Sequence, residues 1–142
     1  MLDDVNKLIE KLLKKFGTLD PFKLAEYLDI EIKYVDFNRQ PLGHFSTILG
    51  DKVILLDQSL QDSNHRYLVA SHELSHGLSH SDLSSYYSTG DRQRGKIEHE
   101  ANLFSAELLY YFYIELFERP PGCFNDLINA FEMPDKFRQF YE

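Results

Sequence analysis

Residues 69–80 read VASHELSHGLSH, and within them His72, Glu73 and His76 form the pattern H-E-x-x-H. On a helix, residues four apart stand on one face, one above the other. The two histidines can therefore offer ring nitrogens to a single point. Glu73 lies about 100° round the helix from His72, so its carboxylate flanks that point instead of filling it. Two neutral imidazoles make half of a tetrahedral zinc site, and the adjacent carboxylate is placed to take a proton from water at the ion. The same five letters also arise by chance on solvated helices, where the rings cap, pack or face water. Helix signals around the motif, and candidates for a third ligand downstream, favour the metal reading.

Asp62, Ser63 or Asn64 supplies the N-cap, which predicts a helix from about 64 to 79. Tyr67, Leu68, Leu74 and Leu78 face its core side, and the histidines share the neighbouring stripe. Gly77 weakens this helix and implies a packing reason, such as close approach of another backbone. Residues 80–95 are polar and read as a loop beside the site. Within it Tyr86 and Tyr87 are either surface residues or cleft wall and donors to an oxyanion.

A second helix begins at Lys96 (KIEHEANLFSAELLYYFYIELFERP), with Ile97, Ala101, Phe104, Leu108 and Phe112 as its apolar stripe. Glu98, His99 and Glu100 fall in its first turns, where the helix dipole alone would favour acids. A zinc site needs a third protein ligand, and the motif helix cannot supply it with good geometry. Glu100 sits on the side of Ala101 and Phe104, where burial without a positive partner is costly and a metal ion is such a partner. Glu100 is thus the expected third ligand, with His99 its competitor. Glu98 reads as solvated, and Asn102 as a hydrogen-bond partner to a ligand.

Upstream, residues 2–16 carry Leu2, Val5, Leu8, Ile9, Leu12, Leu13 and Phe16 at helical spacing, with Asp3 and Asp4 in the first turn, Lys14 and Lys15 in the last and Gly17 as a stop. Asp20-Pro21 opens a short second helix ending near Asp29. Residues 31–37 read as a strand. Residues 44–49 and 52–56, joined by Gly50-Asp51, read as a hairpin. Three strands, mostly antiparallel, therefore precede the motif helix, and one sheet edge at the cleft could accept an extended peptide. His44 reads as a surface residue. After Pro120-Pro121, residues 124–131 and 134–141 read as two short helices covering the core. The expected fold class is α+β: a small three-stranded sheet packed against a zincin-like helical core that carries the HExxH helix.

The chain has 142 residues, 43% of them hydrophobic, which suits one domain over residues 1–142 with a single core. A net charge of −8 argues against non-specific nucleic-acid or anionic-membrane binding. The single cysteine, Cys123, excludes an intrachain disulfide and multi-cysteine zinc sites; it reads as a small buried residue near a turn. The N-terminus lacks the apolar centre of a signal peptide, and no stretch is long and apolar enough to span a bilayer. The expected location is the cytoplasm. The oligomeric state is left open.

The motif helix, the preceding helix pair and small sheet, and the string EHEANLFSAELL (98–109) together resemble the ImmA/IrrE family of metallopeptidases. The resemblance runs over about 22–109. It implies zinc held by His72, His76 and Glu100, with Glu73 as general base, in a gluzincin-like arrangement. It also implies an intracellular enzyme of phage or mobile-element type whose protein substrate is a helix-turn-helix repressor. Two departures stand out: Ser75 where members often have Gly, and Tyr110-Tyr111 where Pro usually follows the Leu-Leu pair. His80, His99, Tyr86 and Tyr87 are the candidates for a second oxyanion donor. The rival readings are a zinc-bearing but catalytically idle protein that grips a transcription regulator, and a toxin–antitoxin component.

Overall fold

The computed structural model describes residues 2–83 and 91–142, with side chains for all of these except 79–83 and 91–93. In order, the elements are α1 (Leu2–Phe16), α2 (Pro21–Tyr27), β1 (Ile30–Val35), β2 (Gly43–Ile48), β3 (Asp51–Asp57), a 3-10 turn (Gln58–Leu60), α3 (His65–Leu83), α4 (Asp91–Phe117), α5 (Phe124–Phe131) and a C-terminal 3-10 segment (Asp135–Tyr141). The α+β class read from the sequence is the class observed.

Helix α1 ends where Gly17 takes φ +74 and returns its N–H to the Leu13 carbonyl at 2.8 Å, the usual left-handed stop. Of its stripe, Ile9 and Leu12 are buried, while Leu2 and Leu13 stay largely exposed. Asp20 caps α2 by accepting from the Phe22 N–H at 2.9 Å. The turn between α1 and α2 is tied to α4: Glu115 accepts from the Thr18 hydroxyl at 2.6 Å and the Leu19 N–H at 2.8 Å.

The sheet has the order β1-β3-β2. Strands β2 and β3 form the expected antiparallel hairpin, turning at Leu49-Gly50, one residue earlier than the sequence suggested. Strand β1 pairs with β3 in parallel, Ile32 opposite Ile54. The apolar run Val53-Ile-Leu-Leu56 explains this placement. A strand covered on both faces favours the centre of a sheet, and Val53, Ile54 and Leu56 are buried. Asp57, also buried, closes β3 by accepting from the N–H groups of Phe37, Arg39 and Ser59 at 2.9, 3.2 and 3.0 Å and from the Ser59 hydroxyl.

Helix α3 packs on this sheet. Gly77 permits the approach: a Cβ there would lie 2.9 Å from the Phe45 ring and 3.2 Å from Ile30 Cδ1. The neighbours are side chains of β2 and β1, not the backbone anticipated. Its start is capped by two chain segments: the His65 N–H is bonded to Ser63 Oγ at 3.1 Å and to Glu132 Oε2, at the end of α5, at 3.0 Å. The Ser63 hydroxyl and that N–H hold the Glu132 carboxyl below its ordinary pKa, as a negative charge at a helix N-terminus should be.

Both long helices exceed their expected bounds, α3 running on to Leu83 and α4 starting at Asp91. The α4 stripe of Ile97, Ala101, Phe104, Leu108 and Phe112 is buried as read. The last segment is a 3-10 coil instead of an α-helix, latched to α4 by the Tyr141 hydroxyl donating to the Ala106 carbonyl at 2.7 Å. Cys123 is exposed, contrary to the buried reading, because it stands outside α5 at its N-cap position. No helix among the described residues is long and apolar enough to cross a membrane.

Candidate metal centre

Within α3, His72 and His76 present rings 5.0 Å apart between centroids and inclined at 77°. Their Nε2 atoms converge on one carboxylate from α4. His72 Nε2 lies 2.9 Å from Glu98 Oε2, and His76 Nε2 lies 3.0 Å from Glu98 Oε1. Among the described residues, His72, His76 and Glu98 form the group whose donor atoms gather closely enough to hold a metal ion, all within 4.8 Å of one another.

Glu98 therefore stands where Glu100 was expected, and Glu100 is not a member of that group. The reason is helical phase. Glu98 and Glu100 are about 200° apart round α4 and flank the apolar stripe on opposite sides, so proximity to the core cannot choose between them. What chooses is the flank that meets α3. Asn102 does meet it, since it lines one cavity together with His72. Glu98 lies one turn before Asn102 on the same face. Reading Asn102 as a partner of a ligand already contained the signal for Glu98.

The other candidates separate. His99 packs its ring 5.5 Å from that of Phe140 and is not among the gathered donors. Tyr86, Tyr87 and the side chain of His80 lie outside the described residues. His44, read as a surface residue, lines the cleft with Gly43 and Phe45 of β2.

Glu73 is buried beside the two rings. Burial pushes its carboxyl above the ordinary value, the charges of His72 and His76 pull it back, Glu98 adds to the rise, and His44 opposes it. For His72, burial disfavours the charged ring, but the hydrogen bond to Glu98, the charges of Glu73 and Glu98 and the Asn102 contact outweigh it, and the net shift is upward. Glu98 is held far below the carboxylate range by its hydrogen bonds to the two rings, against a smaller effect of burial. The corner thus holds an anionic carboxylate between two imidazoles.

That donor set fits a zinc-like ion. Metal–ligand bonds of about 2.0–2.2 Å in tetrahedral array set donor atoms roughly 3.3–3.5 Å apart. With one donor atom taken from each residue, the three lie within 4.8 Å of one another, a spread that small side-chain adjustments bring to that spacing. With its side chain 51% exposed, Glu98 lets the corner open to solvent. The cleft, of 390 Å³, is lined by Gly43, His44, Phe45, His72, Glu73, His76 and Glu98. Three protein donors and an adjoining cleft leave room for water and substrate, as in catalytic sites; structural sites close all four positions with protein.

The family described as Peptidase_M78, IrrE N-terminal-like domain, matches residues 25–112, which contain both motif helices' site residues. A curated relative, "Uncharacterized immunity region protein 2" of Bacillus phage phi105, is 29% identical over 106 residues, covering 71% of this chain. The aligned part spans 65% of that relative's length. No solved structure matches.

Proposed function

The chain belongs to the Peptidase_M78 family, a metallopeptidase family, and from that premise we propose that it is a zinc-dependent peptidase cleaving an intracellular protein. The ion is held by His72, His76 and Glu98, and Glu73 is the general base. The observation that carries this reading is the convergence of two ring nitrogens of α3 on both oxygens of one α4 carboxylate, at the wall of a cleft that also contains Glu73.

The ion, when bound, supplies a Lewis acid that acidifies water and polarises the scissile carbonyl. Glu73 takes the proton of the attacking water and returns it to the leaving amine. Burial raises its pKa, which makes its carboxylate a stronger base than an exposed one. Asn102 holds the His72 ring in its ligating orientation. Among the described residues strand β2 is last in the sheet order and lines the cleft, and on this reading an extended substrate segment lies along it.

The phage relative's printed name places it in an immunity region. That supports a phage-type regulatory protein as substrate, with a helix-turn-helix repressor the expectation drawn from the resemblance. The test is Glu73→Gln in zinc-loaded protein incubated with the repressor encoded beside it. Metal content should be unchanged, and cleavage should fall about 10²–10⁴-fold. Cleavage at the wild-type rate would assign the base elsewhere.

A further inference from the structure

A second cavity, of 250 Å³, adjoins the metal cleft and shares Gly43, His72 and Glu73 with it. Its remaining α3 wall is His65, Leu68 and Val69. With His72 and Glu73 these residues fall at successive three-four spacings, so they form one stripe leading from the metal corner towards the start of the helix. Leu42 closes one side, and Pro134 and Phe137 of the C-terminal segment close the other. Gly43 stands at the junction of the two cavities. A Cβ there would lie 2.5 Å from Val69 Cγ1 and 3.1 Å from Glu73 Cγ, so the bare backbone is what lets these walls meet without closing the passage.

Resting on the peptidase reading, we infer that this second cavity is the specificity pocket for one residue flanking the scissile bond, and that it selects a large apolar side chain. Its size favours one large side chain over a longer segment: the cavity holds 250 Å³ beside the metal cleft. Its apolar wall favours the chemistry: Leu42, Leu68, Val69, Pro134 and Phe137 line it, with His65 and Asn102 as polar groups beside them, and the Lys136 Nζ lies over the Phe137 ring 5.9 Å from the centroid. An ammonium held over an aromatic face has a cation–π partner there already. Its position is decided by the shared residues, because a side chain entering here leaves its own backbone beside Glu73 and the ligands.

The experiment is calorimetric titration of the zinc-loaded protein with hydroxamates, which chelate the ion through a common head and differ in their tail. Acetohydroxamate is compared with hydroxamates extended by isobutyl, by benzyl and by a carboxylate-ended chain. Each buried methylene is worth roughly fourfold in affinity, so the isobutyl and benzyl probes should bind at least about tenfold tighter than acetohydroxamate. Leu42→Phe, which fills the pocket, should abolish that gain. Should Leu42→Phe fail to unfold cooperatively or to take up zinc, Val69→Leu is read in its place, with the same loss expected. Equal affinity for all tails overturns the inference, as does a gain that survives whichever filled variant is read. Tightest binding by the carboxylate-ended probe also overturns it and assigns the pocket to Lys136. Failure of acetohydroxamate itself to bind removes the metal-hydrolase reading, and this inference with it, and so is told apart from failure of the pocket alone.

Discussion

Two carboxylates, one closing strand β3 and one on α4, show how differently an acid can be satisfied. Asp57 is buried at the end of β3 and takes its hydrogen bonds from three backbone N–H groups and a serine hydroxyl, all from the strand ends and turns around it. Glu98 is half exposed and is bound by two imidazole nitrogens from another helix. The donors of Asp57 have no other task, and its pKa is held at about 2, by the Ser59 hydroxyl first, against burial, and by the backbone groups next. The partners of Glu98 are themselves metal ligands by chemical type. Their contacts with Glu98 gather three donors within 4.8 Å of one another. A carboxylate surrounded by fixed backbone donors is architectural; one gripped by rings that a cation can take over is functional.

The largest effect that would break or sharpen this contrast is on metal binding. Glu98→Ala should abolish stoichiometric zinc uptake, measured by atomic emission after gel filtration, while Glu100→Ala retains it. The reverse result would restore Glu100 as the ligand. Next is Asn102→Ala, which leaves all three ligands in place but frees the His72 ring. A competition titration with a fluorescent chelator should show zinc affinity reduced about 10–100-fold, and an unchanged affinity would deny Asn102 its orienting role.

On the architectural side, Gly77→Ala puts a methyl 2.9 Å from the Phe45 ring and 3.2 Å from Ile30. Overpacking costs about 1–3 kcal/mol, and alanine recovers about 1 kcal/mol of helix propensity. A net loss of about 1 kcal/mol in urea unfolding is expected; a gain would mean that the helix rides on the sheet with slack. The smallest effect is that of pH at Asp57. Its folded pKa lies below the unfolded value of 3.8, so its contribution is present above that value and is lost as pH falls through about 2. Asp57→Asn should be less stable than wild type at neutral pH, and the two unfolding midpoints should draw together between pH 3.8 and about 2. A constant gap across that range would remove the charge from the account.

Local patterns were legible because local physics sets them. The amphipathic stripe of α1, the Asp20 cap, the hairpin and the pair His72/His76 each depend on residues within a few positions of one another. The run Val53-Ile-Leu-Leu56 could have revealed more than a hairpin arm, since four consecutive apolar residues mark a strand covered on both faces, and β3 is the central strand. The third ligand was harder. Glu98 and Glu100 both border the same buried stripe, and burial arguments are symmetrical about it.

By itself the sequence determined that two imidazoles occupy one helix at ligating spacing with a carboxylate flanking them, that an α+β scaffold surrounds them, and that a second helix carries acids near its start. Only the tertiary structure decided which acid arrives, that β1 runs parallel to β3, and that Gly43 joins two cavities beside Glu73. The reason is geometric. Spacing along a chain fixes the phase of each helix about its own axis, but which side of α4 faces α3 is set by how the two helices dock. That docking is settled by packing among residues far apart in the chain.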